Sequence, residues 1–290
     1  LTTKADLQRD ALLAFGAFLI AFILWQFRPF SPIVFPLRLF VTFIHELGHG
    51  TIAIVTGGEF IRFEVYSNGA GLAYSRGGFR PAIISAGYVG TAIFGASLLY
   101  ATNRVKYPQR IALVLGIAFI AFTLLFSGLG VGNFNILEVL LTLTVIGVSG
   151  FFFLTRPTDR GRAYAAAGLV VGAGLLLFFA AGSNLATVFV GILSGIGLVL
   201  LSYYGTRNLN LFILNFLAFA VGLNAITDAW VLLRIINNSP LVPQNDAGNM
   251  AREVAFSAPF WAITWIITAV LLLGISTWFT FIKPMRENRL

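Results

Sequence analysis

The chain has 290 residues, of which 58% are hydrophobic and only 10% charged, and its mean hydropathy is +0.88. Such a composition excludes a sizeable soluble domain and reads as a multi-pass integral membrane protein, all-α in its spans, placed in the cell membrane. Cysteine is absent, which excludes disulfides, thiolate metal sites and a cysteine nucleophile, and the net charge of +8 is scattered over short loops with no basic stripe, which excludes nucleic acid as a partner.

Taken in order, a polar head at residues 2–10 precedes an apolar run with no small-residue cleavage site, and Arg28-Pro29 follows it. This run is read as a retained span and not as a signal peptide. Apolar runs of spanning length fall at roughly 10–27, 35–56, 82–102, 110–128, 134–154, 162–182, 185–204, 209–236 and 257–282, which makes about nine transmembrane helices. Basic residues recur in alternate loops: Arg104, Lys106 and Arg110; Arg156, Arg160 and Arg162; Arg207; Lys283, Arg286 and Arg289. The charge bias puts these loops and the C-terminus in the cytoplasm, with the N-terminus outside.

The second span carries Ile44-His45-Glu46-Leu47-Gly48-His49-Gly50, an instance of H-E-x-x-H. Residues i and i+4 share a helix face, so His45 and His49 can offer imidazole nitrogens to one metal ion. Glu46 lies beside that face, where zinc peptidases keep their general base. The two histidines are the only ones in the chain. A charged triplet inside an apolar span is costly and usually functional, which outweighs a chance match.

After this helix the texture changes. Residues 60–66 alternate in polarity as a half-buried strand does, Asn68-Gly69 signals a hairpin turn, and residues 71–74 supply a return strand before Gly77-Gly78. The hairpin is either an ordinary surface element or a membrane-associated β element whose edge can pair with an extended substrate segment. The third span carries Gly87, Thr91 and Gly95 at four-residue spacing, with Ala86 and Gly90 as a second pair. Gly191 and Gly195 repeat the pattern. These are read as packing positions, without assigned chemistry. Glu138, beside Asn133 and Asn135, is read as interfacial.

The eighth span contains Asn224 and Asp228, again i and i+4. A carboxylate in an apolar helix needs a partner, and a metal held by two histidines is a strong one. Asp228 is therefore the first candidate for third ligand, and Asn224 for donor to the oxygen on which charge develops. The competing reading has Asp228 paired with Arg234 or lining a wet crevice. Asp246, in the following loop, is the alternate ligand.

These residues resemble the site-2 protease family of intramembrane zinc metalloproteases, in a divergent branch with extra spans inserted between the two halves of the site. The resemblance rests on HELGH in a span, a Gly-bounded β segment, a Gly-rich span and a distant Asp, over residues 35–100 and 215–246. It implies one integral membrane domain over 1–290. Within it, 35–100 carries the motif helix, hairpin and Gly-rich helix, 101–208 the inserted spans, and 209–290 the late Asp-bearing helix and last span. The family's third ligand is usually an Asp followed by Gly in a Pro-containing stretch. Asp228 is followed by Ala229 with no Pro nearby, so Asp228 and Asp246 both stand as candidates. The resemblance further implies Zn2+ and a membrane-anchored protein substrate within the lipid bilayer. Two other readings compete: a catalytically silent relative acting as a binding or regulatory partner, and a transporter with a chance motif.

Overall fold

The computed structural model describes residues 4–26, 31–66, 68–128, 185–237 and 245–287. In chain order these form α1 (Lys4–Gln26), α2 (Ser31–Val55), β1 (Glu59–Val65), β2 (Gly71–Arg76), α3 (Arg80–Arg104), α4 (Pro108–Phe126) and α5 (Leu185–Tyr204). Then come α6 (Arg207–Asn237), α7 (Asp246–Glu253), α8 (Ala258–Thr277), a π-helical turn (Trp278–Ile282) and α9 (Lys283–Glu287). The described chain is mostly helical. Six helices are long and apolar enough to cross a membrane: α1, α3, α4, α5, α6, and α8 with its continuation to Glu287.

Among the described residues the expectation of nine spans thus becomes six. The expected spans at 134–154 and 162–182, with Glu138 and Arg156, Arg160 and Arg162, lie outside the described residues. The motif helix α2 has the length, 25 residues, but does not reach the hydropathy of the six. Arg38, His45, Glu46 and His49 all weigh against it.

Apolar burial gives little drive where the alternative solvent is lipid, so close backbone approach must bring the helices together. The small residues supply it. A Cβ added at Gly48 of the motif would fall 2.4 Å from the Ala86 carbonyl oxygen of α3, and one at Gly95 would fall 2.9 Å from the Ala218 carbonyl oxygen of α6. Gly116 of α4 and Gly195 of α5 meet in the same way. These contacts make α3 the central helix, packed against α2, α6 and α8.

The two strands form an antiparallel hairpin, with Phe63 opposite Ala73 and Val65 opposite Gly71. Simple alternation would turn Phe60 and Phe63 to opposite faces. A register shift between Phe60 and Arg62 inserts one extra residue, a β-bulge, and both rings point inward. Phe63 then meets Phe43 of α2 edge-on at 4.9 Å, and Phe43 meets Phe119 of α4 at 5.6 Å. The β1 side of the hairpin is covered by α4 and α5, and the Val65 amide donates to Thr187 Oγ1 of α5 at 2.6 Å. The opposite side, along β2, faces a cavity. Gly77 and Gly78, at φ +71° and +75°, turn the chain from β2 into α3, a conformation other residues rarely adopt.

Candidate metal centre

His45 and His49 stand one turn apart on α2, their rings 4.8 Å apart. The Nδ1 atom of His49 is 2.6 Å from the Ile83 carbonyl oxygen, a contact that requires the proton on Nδ1. Its Nε2 lone pair is therefore free to face a metal, the arrangement that outer partners impose on histidine ligands. Asp246 reaches both rings: its Oδ2 lies 3.1 Å from His45 Nε2 and 3.5 Å from His49 Nε2. The ligand atoms of these three residues all lie within 4.8 Å of one another.

Asp246 gets there because the expected loop is a helix start. Asn245 caps α7, its side-chain oxygen accepting from the Gly248 amide at 2.9 Å. Asp246 is the first helical residue, where a carboxylate is favoured by the helix dipole. Burial alone would raise the Asp246 carboxyl, but the charges of His49 and His45 and their bonds to it outweigh burial. They hold it well below the usual carboxylate range. Two histidines whose Nε2 atoms converge on one carboxylate are, once both imidazoles are neutral, a donor set that fits a zinc-type ion.

The space beside those nitrogens is kept open by Gly87 of α3. A Cβ there would lie 2.3 Å from His45 Nε2 and 2.5 Å from His49 Nε2. The spacing of small residues marked Gly87 as a packing position, and the fold adds this second role. Glu46 is 5% exposed and sits under the hairpin. A Cβ at Gly71 would fall 2.3 Å from its Oε1, and the backbone amide of Ala73 bonds its carboxylate. Thr42, one turn earlier on α2, donates to the Gly69 carbonyl at 2.9 Å and ties the hairpin turn to the motif helix.

Asp228, the first candidate for third ligand, lines the same cavity but stands outside the cluster of three. Its carboxylate accepts from the Asn224 amide, and Asn224 in turn accepts from Trp25 Nε1 of α1 at 2.8 Å. Asn224, expected as a donor to the reacting oxygen, is buried with both ends of its amide occupied. Arg234, the other expected partner of Asp228, lies over the Trp230 ring at 5.6 Å. Tyr88, which spacing gave no reason to single out, has its ring 4.8 Å from that of His45.

The cavity measures about 750 Å³. The motif residues and Asp246 form its floor, β2 one wall, and Asp228, Val231 and Ile235 of α6 another. It is large enough for a short extended peptide and holds the Glu46 carboxyl group beside a candidate metal position.

No curated protein and no solved structure matches the chain. The model of one protein family, described as Peptidase M50B-like, matches residues 14–158 and 141–276, nearly the whole length. M50 peptidases are metalloproteases, and the apolar helices and the His45, His49 and Asp246 group agree with a membrane member of that class. The chain belongs to the Peptidase M50B-like family, and so to the site-2 protease family.

Proposed function

We propose that this protein is a zinc-dependent intramembrane endopeptidase that cuts membrane-anchored protein substrates. The observation that carries this reading is the convergence of His45, His49 and Asp246 beside Glu46, inside a cavity walled by a strand edge. His45, His49 and Asp246 would hold the metal. When bound, zinc supplies Lewis acidity that activates water and polarises a carbonyl.

The rest falls to the protein. A peptide carbonyl inside a helix is already hydrogen-bonded, so the substrate segment must unwind to be cut. In lipid its freed backbone groups need partners. The outer edge of β2, where Gly71, Ala73 and Ser75 line the cavity, offers main-chain groups for such a segment, apart from the Ala73 amide that Glu46 holds. Glu46 takes one proton from the attacking water as its oxygen bonds to the carbonyl carbon. Glu46 then gives the proton to the amide nitrogen as the C–N bond breaks. Water, carboxylate and leaving amine balance without any other reactant.

Glu46→Gln tests the reading. Purified protein in lipid is expected to cut a membrane-anchored test substrate, to stop when zinc is chelated, and to be inactive as Glu46→Gln with zinc content unchanged. Cleavage by Glu46→Gln at the wild-type rate would reject the assignment. A cellular role intact in Glu46→Gln would favour a binding or regulatory function on the same fold.

The strand edge has its own test. Gly71→Ala puts a methyl group against the Glu46 carboxylate and the Thr42 methyl, so either that carboxylate or β2 must move by about an ångström. Displacements of that size cost roughly 10²-fold in rate. Activity is expected to fall by about that factor, with zinc retained in metal analysis.

A further inference from the structure

Tyr88 has no part in holding the metal, yet its environment is built. Its ring stacks on Trp265 of α8 with centroids 5.0 Å apart and planes 9° apart, and its edge meets the His45 ring at 89°. Two partners at right angles leave the ring little freedom to turn. Tyr88 lines the cavity with His45, Glu46 and Asp246. Three carboxylates, those of Asp246, Asp228 and Glu46, act on its hydroxyl electrostatically, but none of them accepts a hydrogen bond from it among the described residues. The hydroxyl thus belongs to a cavity-lining residue, lies within electrostatic reach of those carboxylates, and has no hydrogen-bond acceptor among the described residues.

The preceding residue strengthens the point. Gly87 keeps the volume beside the two Nε2 atoms clear, and Tyr88 follows it directly on α3. The same turn of helix therefore carries both the opening and a cavity-lining phenol whose ring is held by Trp265 and His45. The only other candidate donor that spacing suggested, Asn224, is committed to Asp228 and Trp25.

Resting on the hydrolytic reading above, we propose that the Tyr88 hydroxyl donates a hydrogen bond to the scissile carbonyl oxygen as negative charge builds on it. The phenol keeps its proton throughout, and Glu46 carries the proton that moves. A donor held rigid before reaction stabilises developing charge without reorganising, and one such donor is typically worth roughly 10²–10³-fold in kcat. The opposing possibility is that the ring merely supports His45. Phenylalanine separates the two, because it keeps both ring contacts and removes only the hydroxyl.

The experiment uses full-length protein in lipid, as wild type, Tyr88→Phe and Glu46→Gln. Zinc content, kcat and KM on a membrane-anchored substrate are measured for each. Affinity for a peptide phosphonamidate, whose phosphoryl oxygen replaces the reacting carbonyl, is measured alongside. Tyr88→Phe is expected to retain zinc and KM, to lose roughly 10²–10³-fold in kcat, and to bind the phosphonamidate more weakly by a comparable factor. Wild-type kcat in Tyr88→Phe, with Glu46→Gln inactive, overturns the role of Tyr88 and leaves the hydrolytic reading standing. Loss of zinc from Tyr88→Phe also overturns it, because the side chain then acts through the metal site. If Glu46→Gln cleaves like wild type, the hydrolytic reading falls and the role of Tyr88 falls with it.

Discussion

Asp246→Asn is expected to lose both zinc and proteolysis, while Asp228→Asn keeps its zinc. Both substitutions preserve shape and remove a charge, so the comparison isolates what each carboxylate does. Asp246 Oδ2 lies within 3.5 Å of both histidine nitrogens, and no other acidic residue among those described completes the cluster. Removing even an outer partner of a metal ligand costs 10–100-fold in affinity. Removing a ligand is expected to cost more than ~10²-fold, enough to leave purified protein without zinc. Asp228 stands outside that group. It anchors Asn224, which anchors Trp25, and so ties α1 and α6 together at the cavity wall. An amide at 228 can still meet Asn224, so the expected change is in stability, on the order of 1 kcal/mol for a net hydrogen bond. Metal analysis of the two variants decides the matter. Zinc lost from Asp228→Asn and retained in Asp246→Asn would make Asp228 the ligand.

Gly87→Ala is expected to empty the site with every ligand still present. The added methyl carbon would sit 2.3–2.5 Å from the nitrogens that must face the ion. Either it occupies part of the ion's volume or it drives the rings apart. The rings have little room to yield, since His49 is held by Ile83 and His45 lies against Tyr88. Alanine is otherwise a good helix residue and gains propensity over glycine by roughly 1 kcal/mol. The helix itself is therefore expected to persist in circular dichroism, with zinc and activity both lost. Zinc at wild-type stoichiometry in Gly87→Ala would show that the metal lies elsewhere.

How far the sequence carried depended on the range of each signal. His45, Glu46 and His49 lie within one helical turn, and their spacing alone states the geometry. The hairpin was visible too, because strand alternation and Asn68-Gly69 are local, although the bulge at residue 61 was not. The third acidic residue is a contact across 201 positions of sequence, and spacing has nothing to say at that distance. Ranking by the cost of burying a carboxylate favoured Asp228, since Asp246 looked like solvated loop. The structure gives Asp228 a neighbouring amide and an open cavity, which offset that cost without a metal. It gives Asp246 the start of a capped helix of eight residues, too short a stretch for its pattern to stand out from a loop in the sequence. Tyr88 was hidden for another reason. An aromatic residue in an apolar span is indistinguishable from its lipid-facing neighbours until the fold sets it against His45.

The weak hydropathy of α2 has a consequence for how the protein is made. A charged residue at the centre of a helix entering the bilayer costs about 2.5–3.5 kcal/mol, so this helix is a poor passenger for insertion on its own. It needs companions, and these are α1 just before it in the chain and α3 after it, which meets it at Gly48. His45, Glu46 and His49 are thus expected to settle in the membrane as part of a gathered bundle. A nascent chain that ends after the motif holds His45, Glu46 and His49 but not Asp246, so it cannot gather the group of three, and half-made copies are expected to be inactive.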